Sequence, residues 1–171
     1  MDDLYEEFEK YLYPGAKILD LGCGSGRDSK YFLAKGYEVV SVDGSYEMCK
    51  LAEEYIGNTV YNIKFEDLNY NDEFDAIWAS ASLLHVKKHS LLQVMNEVIR
   101  ALKDQGVLYA SWKYGSGSRC EDNRYYYDLS RVEICELLES NSAEVIKTWR
   151  SQDNLGRADS WVNILVKKHS R

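Results

Sequence analysis

The fold of this chain is decided by residues 16–26, which read AKILDLGCGSG. A short apolar run over 16–21 predicts a strand that closes on Asp20 and Leu21, immediately before three glycines at alternate positions. Glycine permits positive φ and lets a ligand approach the backbone closely. The helix predicted to follow offers unpaired N–H groups in its first turn. The stretch therefore predicts a strand, a glycine turn and a helix that together can bind a ligand.

Strands and helices alternate along the rest of the chain. By apolar spacing, further strands are predicted over 37–42, 59–63, 74–79 and 107–112, and helices over 2–12, 27–35, 45–55, 90–103 and 130–140. Such alternation predicts an α/β fold, a doubly wound and mainly parallel seven-stranded sheet with helices on both faces. The last two strands, 144–150 and 161–167, have no helix between them. We expect them to pair as a hairpin, so that the final strand runs antiparallel to the others.

Residues 113–128 interrupt this alternation. They hold the run GSGS, mixed charges and three consecutive tyrosines, with no apolar period. A loop of this length inside a compact domain is usually functional, so we expect a lid-like loop. The chain has 171 residues, which fits a single domain over residues 1–171.

Composition excludes several classes of protein. Lys and Arg total 21 against 28 for Asp and Glu, a net charge of −7, which disfavours a general binder of nucleic acid or anionic membranes. No apolar run approaches the roughly 20 residues of a membrane span, and the start of the chain is acidic where a signal peptide needs positive charge. The four cysteines are too far apart for a CxxC pair, and with the three histidines they form no zinc spacing. We therefore expect a cytoplasmic protein with reduced thiols and no metal.

The glycine turn departs from two well-known nucleotide motifs. The dinucleotide fingerprint would need a glycine at position 27, where Arg27 stands. The Gly-Lys-Ser/Thr of a phosphate-binding loop is absent as well. However, Asp43 ends the next predicted strand, and a carboxylate there can accept hydrogen bonds from both hydroxyls of a ribose. Strand, glycine turn, helix, strand and acid together predict a cofactor that carries a ribose.

At these residues the sequence resembles the class I S-adenosylmethionine-dependent methyltransferases, from Ile18 to Lys168. The resemblance implies S-adenosylmethionine as the cofactor. The runs at 26–29, 82–86, 113–115 and 161–163 are similar to a small bacterial branch near the tellurite-resistance methyltransferases. The positions that the family pattern implies for cofactor binding are Asp20, Gly22, Cys23, Gly24, Gly26, Arg27, Asp43, Gly44, Met48, Glu66, Asp67, Leu68, Ala79 and Ser80.

The resemblance also implies roles for some of these residues. Asp43 corresponds to the ribose-binding acid, and Met48 to a residue packed beside the adenine. Asp67 or Glu66 corresponds to the acid that meets the adenine amino group, although a plain loop acid explains Asp67 as well. The backbone of residues 79–81 is implied to touch the methionine part of the cofactor.

Absent motifs narrow the methyl acceptor. The chain has one proline, Pro14, so the Pro-Pro-aromatic motif of amino-methylating DNA enzymes cannot follow Ala79. For the same reason the Pro-Cys nucleophile of cytosine-C5 enzymes is missing, and residues 80–85 lack the paired glutamates of protein-arginine methyltransferases. A small-molecule acceptor is favoured. An RNA or DNA methyltransferase, with the tyrosines at 125–127 stacking on bases, and a non-catalytic cofactor-binding subunit stay open as alternatives, as does the oligomeric state.

The candidate catalytic residues lie at the carboxyl ends of the predicted strands, where ligands bind in open α/β sheets. His85 follows the fourth strand and is a candidate general base, although a packed or hydrogen-bonded histidine is an equally good interpretation. Arginine forks suit carboxylate, phosphate and other anionic groups. We therefore expect an anionic acceptor, held where several polar side chains ring one mouth: Lys113, Arg119, Arg124, Arg150, Asp153, Arg157 and Asn163.

Overall fold

The computed structural model describes residues 1–139, 142–153 and 160–170. In chain order, the helices of these residues are α1 (Asp2–Glu9), α2 (Arg27–Ala34), α3 (Tyr46–Ile56), α4 (Lys88–Ala101) and α5 (Arg131–Glu139). The strands are β1 (Lys17–Leu21), β2 (Glu38–Asp43), β3 (Val60–Asn62), β4 (Phe74–Ala79), β5 (Leu102–Lys113), β6 (Gly117–Glu121), β7 (Arg124–Asp128), β8 (Ala143–Gln152) and β9 (Ser160–Lys168). Short 3₁₀ turns occupy Phe65–Asp67 and Leu83–His85. Within the described ranges, each helix is too short or too polar to cross a membrane.

Seven of the strands form one sheet in the order β3-β2-β1-β4-β5-β9-β8. Strands β1 to β5 pair in parallel, and β9 lies antiparallel between β5 and β8. The predicted mainly parallel sheet with one antiparallel final strand is confirmed. The parallel strands bring the carboxyl ends of β1, β2 and β4 to one edge of the sheet.

Both faces of the sheet are covered by helices. Successive side chains of a strand point to opposite faces, and β1 and β4 show this directly. Leu19 and Ile77 belong to an apolar cluster that includes residues of α4 and α5. Ile18 and Trp78 belong to a second cluster with residues of α1 and α2. The centre of the sheet is therefore buried on both sides.

Residues 113–128, which we expected to form a lid-like loop, contain two short strands. β6 and β7 form a separate two-stranded hairpin, paired from Gly117↔Asp128 to Glu121↔Arg124. Asp122 and Asn123 take φ values of 50° and 60°, and positive φ at both central positions is what a two-residue hairpin turn of type I′ requires. The sequence pattern did not indicate these two strands, because the glycines, serines and charges obscured the β-forming aromatic run in β7. The lid-like role of the segment stays a prediction.

Two helix ends differ from the predictions by two or three residues. α1 ends at Glu9 rather than at residue 12, and α4 ends at Ala101 because Leu102 pairs with Phe74 as the first residue of β5. The start of α5 is closed by a reciprocal cap. The backbone N–H of Ser130 donates to the Glu133 carboxylate at 2.8 Å, and the N–H of Glu133 donates to the Ser130 hydroxyl at 3.3 Å.

Candidate functional site

The glycine turn after β1 has one packed position and one open position. A Cβ at Gly22 would lie 2.5 Å from the Ser82 Cβ, so no larger residue fits there without movement. A Cβ at Gly24 would meet nothing within 4 Å, although its φ of 55° lies in the left-handed region. The N–H groups of Gly22 and Cys23 both donate to the Val42 carbonyl at 2.9 Å. The turn is thus fixed against β2, and Gly24 faces open space.

That open space is a cleft of about 510 Å³ at the carboxyl edge of the sheet. Its lining includes seven of the predicted site residues and five others. The predicted ones are Gly22, Gly24, Asp43, Gly44, Met48, His85 and Arg124. The others are Ser45, Phe65, Ser82 and Tyr125, together with Ala81 of the segment 79–81 whose backbone was expected at the cofactor. Of these, Phe65 directly precedes the two acids predicted to meet the adenine, at positions 66 and 67. The predicted segment would therefore have included Phe65 if it had begun one residue earlier.

Asp43 holds the cleft together at the end of β2. One carboxylate oxygen accepts the N–H of Gly24 at 2.9 Å, and the other accepts the N–H of Ser45 at 2.8 Å. A carboxylate oxygen has two lone pairs. Each oxygen therefore keeps one acceptor position after the backbone is satisfied. Asp43 can accept two further hydrogen bonds, which is what a pair of ribose hydroxyls would need.

Several predicted residues lie beneath or beside the cleft and are not part of its lining. Cys23, Leu68 and Ala79 are buried in the apolar clusters, and burial raises the pKa of the Cys23 thiol well above its usual range. The side chains of Glu66 and Asp67 are exposed on their 3₁₀ turn. Gly26 is the left-handed residue that begins α2. Contact of these residues with a ligand stays a prediction.

Asp20 is a buried carboxyl under the glycine turn. It accepts a hydrogen bond from the Ser29 hydroxyl at 2.6 Å, and Ser29 in turn lies 2.7 Å from the Ser41 hydroxyl. Burial, and then the negative charge of Asp28, raises the pKa of Asp20 to about 8. Asp20 therefore links β1, α2 and β2 from below the turn.

A second, smaller cavity of about 170 Å³ adjoins the cleft, and Ala81 lines both. The remaining lining residues come from α1, α2, β5 and the ends of β8 and β9, with Ser80 as the predicted strand exit. They are Met1, Leu4, Arg27, Ser80, Tyr109, Ser111, Ser151, Gln152, Asp153, Trp161 and Asn163. The second cavity is therefore mixed, with apolar, hydroxyl, amide and charged groups.

A hydrogen-bonded relay forms part of the lining of the second cavity. The side-chain amide of Asn163 donates to the Trp149 carbonyl at 3.3 Å and to the Ser151 hydroxyl at 2.9 Å. Because a carbonyl can only accept, this contact fixes which atom of the Asn163 amide is nitrogen. The Asn163 oxygen accordingly accepts the Tyr109 hydroxyl at 2.7 Å. The Tyr109 hydroxyl therefore donates its hydrogen to Asn163, and burial raises the pKa of this phenol above its usual range.

Arg27 reaches the second cavity because Asp28 holds it. Its Nε donates to the Asp28 carboxylate at 2.7 Å. The same buried carboxylate accepts the Tyr5 hydroxyl at 2.5 Å and the Trp78 indole N–H at 2.8 Å. Burial, followed by the hydrogen bond to Asp28, raises the pKa of Tyr5 well above its ordinary value. This network ties α1 to α2 and fixes the wall of the second cavity.

The cations predicted at one mouth are divided among several places. Arg124 lines the cleft, whereas Lys113 lies over the Tyr126 ring at 5.4 Å. Arg119 pairs with Asp128 at 2.9 Å and with Glu121. Arg150 stacks over Tyr114 at 3.8 Å and donates to Ser160 at 2.8 Å. Asp153 and Asn163 line the second cavity, and Arg157 lies outside the described residues. In the part of the chain that is described, no three His, Cys, Asp or Glu side chains are grouped to hold a metal ion.

Comparison with known proteins adds a family to this geometry. Residues 19–110 match a family model described as a methyltransferase domain. The Bacillus subtilis protein YqeM, whose name assigns it provisionally to the methyltransferases, is 29% identical over 115 residues, which cover 61% of this chain and 47% of that protein. The chain spans about half, or less, of the length of the first curated relatives it matches.

Two solved structures have a closely similar backbone. The 1,6-didemethyltoxoflavin-N1-methyltransferase of Burkholderia thailandensis, solved with 1,6-didemethyltoxoflavin and S-adenosylhomocysteine, aligns with a TM-score of 0.82 at 21% identity, over 96% of this chain and 76% of that one. A Methanosarcina mazei protein described as a SAM-dependent methyltransferase aligns with a TM-score of 0.83 at 21% identity, over 98% and 99%. At such identities the likeness shows the fold, and it confirms the Rossmann-like arrangement that the sequence predicts.

Proposed function

The chain belongs to the methyltransferase domain family, whose model matches more than half of it, and from this premise we propose that it transfers a methyl group from S-adenosylmethionine to a small polar molecule that carries an anionic group. The observation that carries the proposal is the pair of cavities that meet at Ala81. The larger has the glycine turn and carboxylate suited to a nucleoside. The smaller has a mixed lining suited to an acceptor.

The larger cleft fits S-adenosylmethionine by the chemistry of its lining. Asp43 keeps two acceptor positions for ribose hydroxyls, and the turn at Gly24 leaves room for close approach of a ligand. Met48 and Phe65 supply apolar surface of the kind that packs against a purine. When bound, the cofactor supplies a methyl group already activated by its positively charged sulfur. The acidic 3₁₀ turn at residues 65–67 borders this apolar surface and supports the expected contact to the adenine amino group.

The chain's own contribution to the reaction is alignment and exclusion of water. Good alignment of two reacting groups supplies roughly 7–11 kcal/mol of a barrier. In the second cavity, Tyr109 and Asn163 hold each other's hydrogen bonds fixed, so they present a rigid polar surface to an acceptor. Arg27 in the second cavity and Arg124 in the cleft support the anionic part of the proposal. The roles of Lys113 and Arg157 in binding the acceptor stay predictions, as does the narrower resemblance to the tellurite-resistance branch.

One experiment tests the cofactor and the acceptor class together. S-adenosylhomocysteine binding is measured by isothermal titration, with NAD as the control ligand. The protein is then incubated with methyl-labelled S-adenosylmethionine and a cell extract that has been split into small-molecule, RNA and protein fractions. We expect label in the small-molecule fraction, in a product retained by an anion-exchange column.

The other outcomes separate the alternatives. Label in the RNA fraction would identify a nucleic-acid methyltransferase. Binding of S-adenosylhomocysteine without label in any fraction would indicate a non-catalytic subunit. Equal affinity for NAD would contradict the cofactor assignment, and a labelled product that passes through the anion-exchange column would contradict only the anionic acceptor.

A further inference from the structure

His85 stands where the β6–β7 hairpin meets the body of the domain. It ends the 3₁₀ turn after β4 and lines the cofactor cleft beside Arg124 and Tyr125 of the hairpin. We propose that His85 serves methyl transfer as a positioning residue, whose hydrogen bond through Nδ1 holds the hairpin across the cofactor cleft. The expected effect on catalysis rests on the proposed function. The contact between His85 and the hairpin does not depend on it.

The contact has a defined chemical direction. Nδ1 of His85 lies 2.9 Å from the backbone carbonyl oxygen of Tyr125. A carbonyl oxygen can only accept, so Nδ1 must carry the hydrogen and donate it. A side chain 40 positions away in the sequence thereby holds the backbone of β7 itself, and no substitution at Tyr125 can remove that acceptor.

A ring contact strengthens the same junction. The imidazole of His85 lies 4.8 Å from the Tyr126 ring, centroid to centroid. The guanidinium of Arg119 and the ammonium of Lys113 also approach this ring, at 4.3 and 5.4 Å. Cations are attracted to the face of an aromatic ring. Tyr126 is therefore a junction between the hairpin, the end of β5 and His85.

The two ends of the hairpin are held in different ways. At its base, Leu129 and Tyr127 are buried in the main apolar cluster, and the Leu129 N–H donates to the Lys113 carbonyl at 3.3 Å. Towards its tip, residues 121–124 are exposed, and in the described part of the chain β6 and β7 form a sheet separate from the seven-stranded one. The tip half, which supplies Arg124 and Tyr125 to the cleft, is the part that His85 holds. Loss of this contact would loosen one wall of the cofactor site.

Two substitutions at His85 distinguish its contact with the hairpin from a role in proton transfer. Asparagine places a side-chain N–H donor near the position of Nδ1 but has no basic nitrogen, whereas alanine has neither. A hydrogen bond of ordinary strength corresponds to roughly two- to tenfold in an equilibrium. We therefore expect His85→Ala to speed amide hydrogen exchange over residues 117–126 and dissociation of S-adenosylhomocysteine by at least about threefold. His85→Asn should stay within about twofold of the wild type in both, and should retain methyl transfer to the labelled small-molecule fraction.

Two further variants complete the test: one is a control, and the other removes the second contact between His85 and the hairpin. His89→Ala removes an exposed histidine four residues away, and it should match the wild type in every measurement. Tyr126→Leu leaves His85 intact but removes the ring contact, and it should loosen the hairpin as His85→Ala does. Because hydrogen exchange is measured without ligand, it reports on the hairpin even if S-adenosylhomocysteine fails to bind, an outcome that would overturn the proposed function and leave the contact standing.

Two outcomes would contradict the role of His85 in holding the hairpin. If His85→Asn and His85→Ala lose methyl transfer to the same extent while hairpin exchange is unchanged, His85 acts through its basic nitrogen. Unchanged exchange in both His85→Ala and Tyr126→Leu would likewise show that the contacts of His85 do not hold the hairpin.

Discussion

The backbone N–H of Gly24 donates to the Asp43 carboxylate at 2.9 Å, and this bond joins the glycine turn to the end of the neighbouring strand. The relationship gives Asp43 two duties. Its carboxylate shapes the turn through one lone pair of each oxygen, and its remaining lone pairs face the cleft. Binding and local structure therefore depend on the same side chain.

Asp43→Ala should weaken binding of S-adenosylhomocysteine by roughly 1.5–3 kcal/mol, because hydrogen bonds to a charged group are lost. Isothermal titration measures the affinity, and thermal unfolding shows whether the turn has also been destabilised. Glu54→Ala removes an exposed carboxylate from the outer side of α3 and is the matched control. Equal affinities of the Asp43→Ala variant and the wild type would remove Asp43 from the site.

Gly24→Ala should bind S-adenosylhomocysteine poorly while the protein still folds. An L-residue at a φ of 55° costs about 1–2 kcal/mol, but the added Cβ meets no protein atom within 4 Å and projects into the space for the ligand. Gly57→Ala is the matched control, since Gly57 has a φ of 74° and an equally open Cβ position at the end of α3. Both variants should lose similar stability in denaturant titrations. Loss of binding in neither, or in both, would contradict the placement of the ligand at Gly24.

The contact between Gly24 and Asp43 could be predicted from the sequence because it follows from a local pattern. A strand that ends in a glycine turn beside a parallel strand that ends in an acid must bring Gly24 and Asp43 together. The second core, with Ile18 and Trp78 on the alternate positions of their strands, follows from the same regularity. These features depend on periodicity and adjacency, which a sequence displays directly.

The hairpin and the distribution of the cations could not be predicted in this way. His85 and the Tyr125 carbonyl meet across 40 residues, and a backbone acceptor leaves no signature in the side-chain pattern. The described cations are not all grouped at one mouth, because two of the arginines have partners close by. Arg119 pairs with Asp128 across the hairpin, and Arg150 stacks on Tyr114. Which partner each of these arginines contacts depends on distances in the folded protein rather than on spacing along the chain.

Tyr109→Phe should lower methyl transfer to the small-molecule fraction by about tenfold, or roughly 1.4 kcal/mol, and leave S-adenosylhomocysteine affinity near that of the wild type. The substitution removes the hydroxyl that Asn163 accepts, so a buried amide oxygen of the second cavity loses its partner. Tyr37→Phe removes a hydroxyl that lies 3.3 Å from Glu9, outside both cavities, and serves as the control. A parallel fall in cofactor affinity would show that Tyr109 supports the cleft rather than the acceptor.

Asp20→Asn should change how stability depends on pH. Burial and the charge of Asp28 raise the pKa of Asp20 to about 8, from 3.8 for an ordinary aspartate. Between these two values the unfolded chain has released the proton and the folded protein still holds it. The stability from the neutral carboxyl is therefore complete below pH 3.8 and is lost as the pH rises towards 8, with a slope of at most about 1.4 kcal/mol per pH unit.

Asparagine cannot ionise and still accepts a hydrogen bond from Ser29. The free energy of unfolding of Asp20→Asn relative to the wild type, measured by urea titration at several pH values, should rise from pH 5 to pH 8 and then level off. A difference that is constant over this range would show that Asp20 is already ionised in the folded protein.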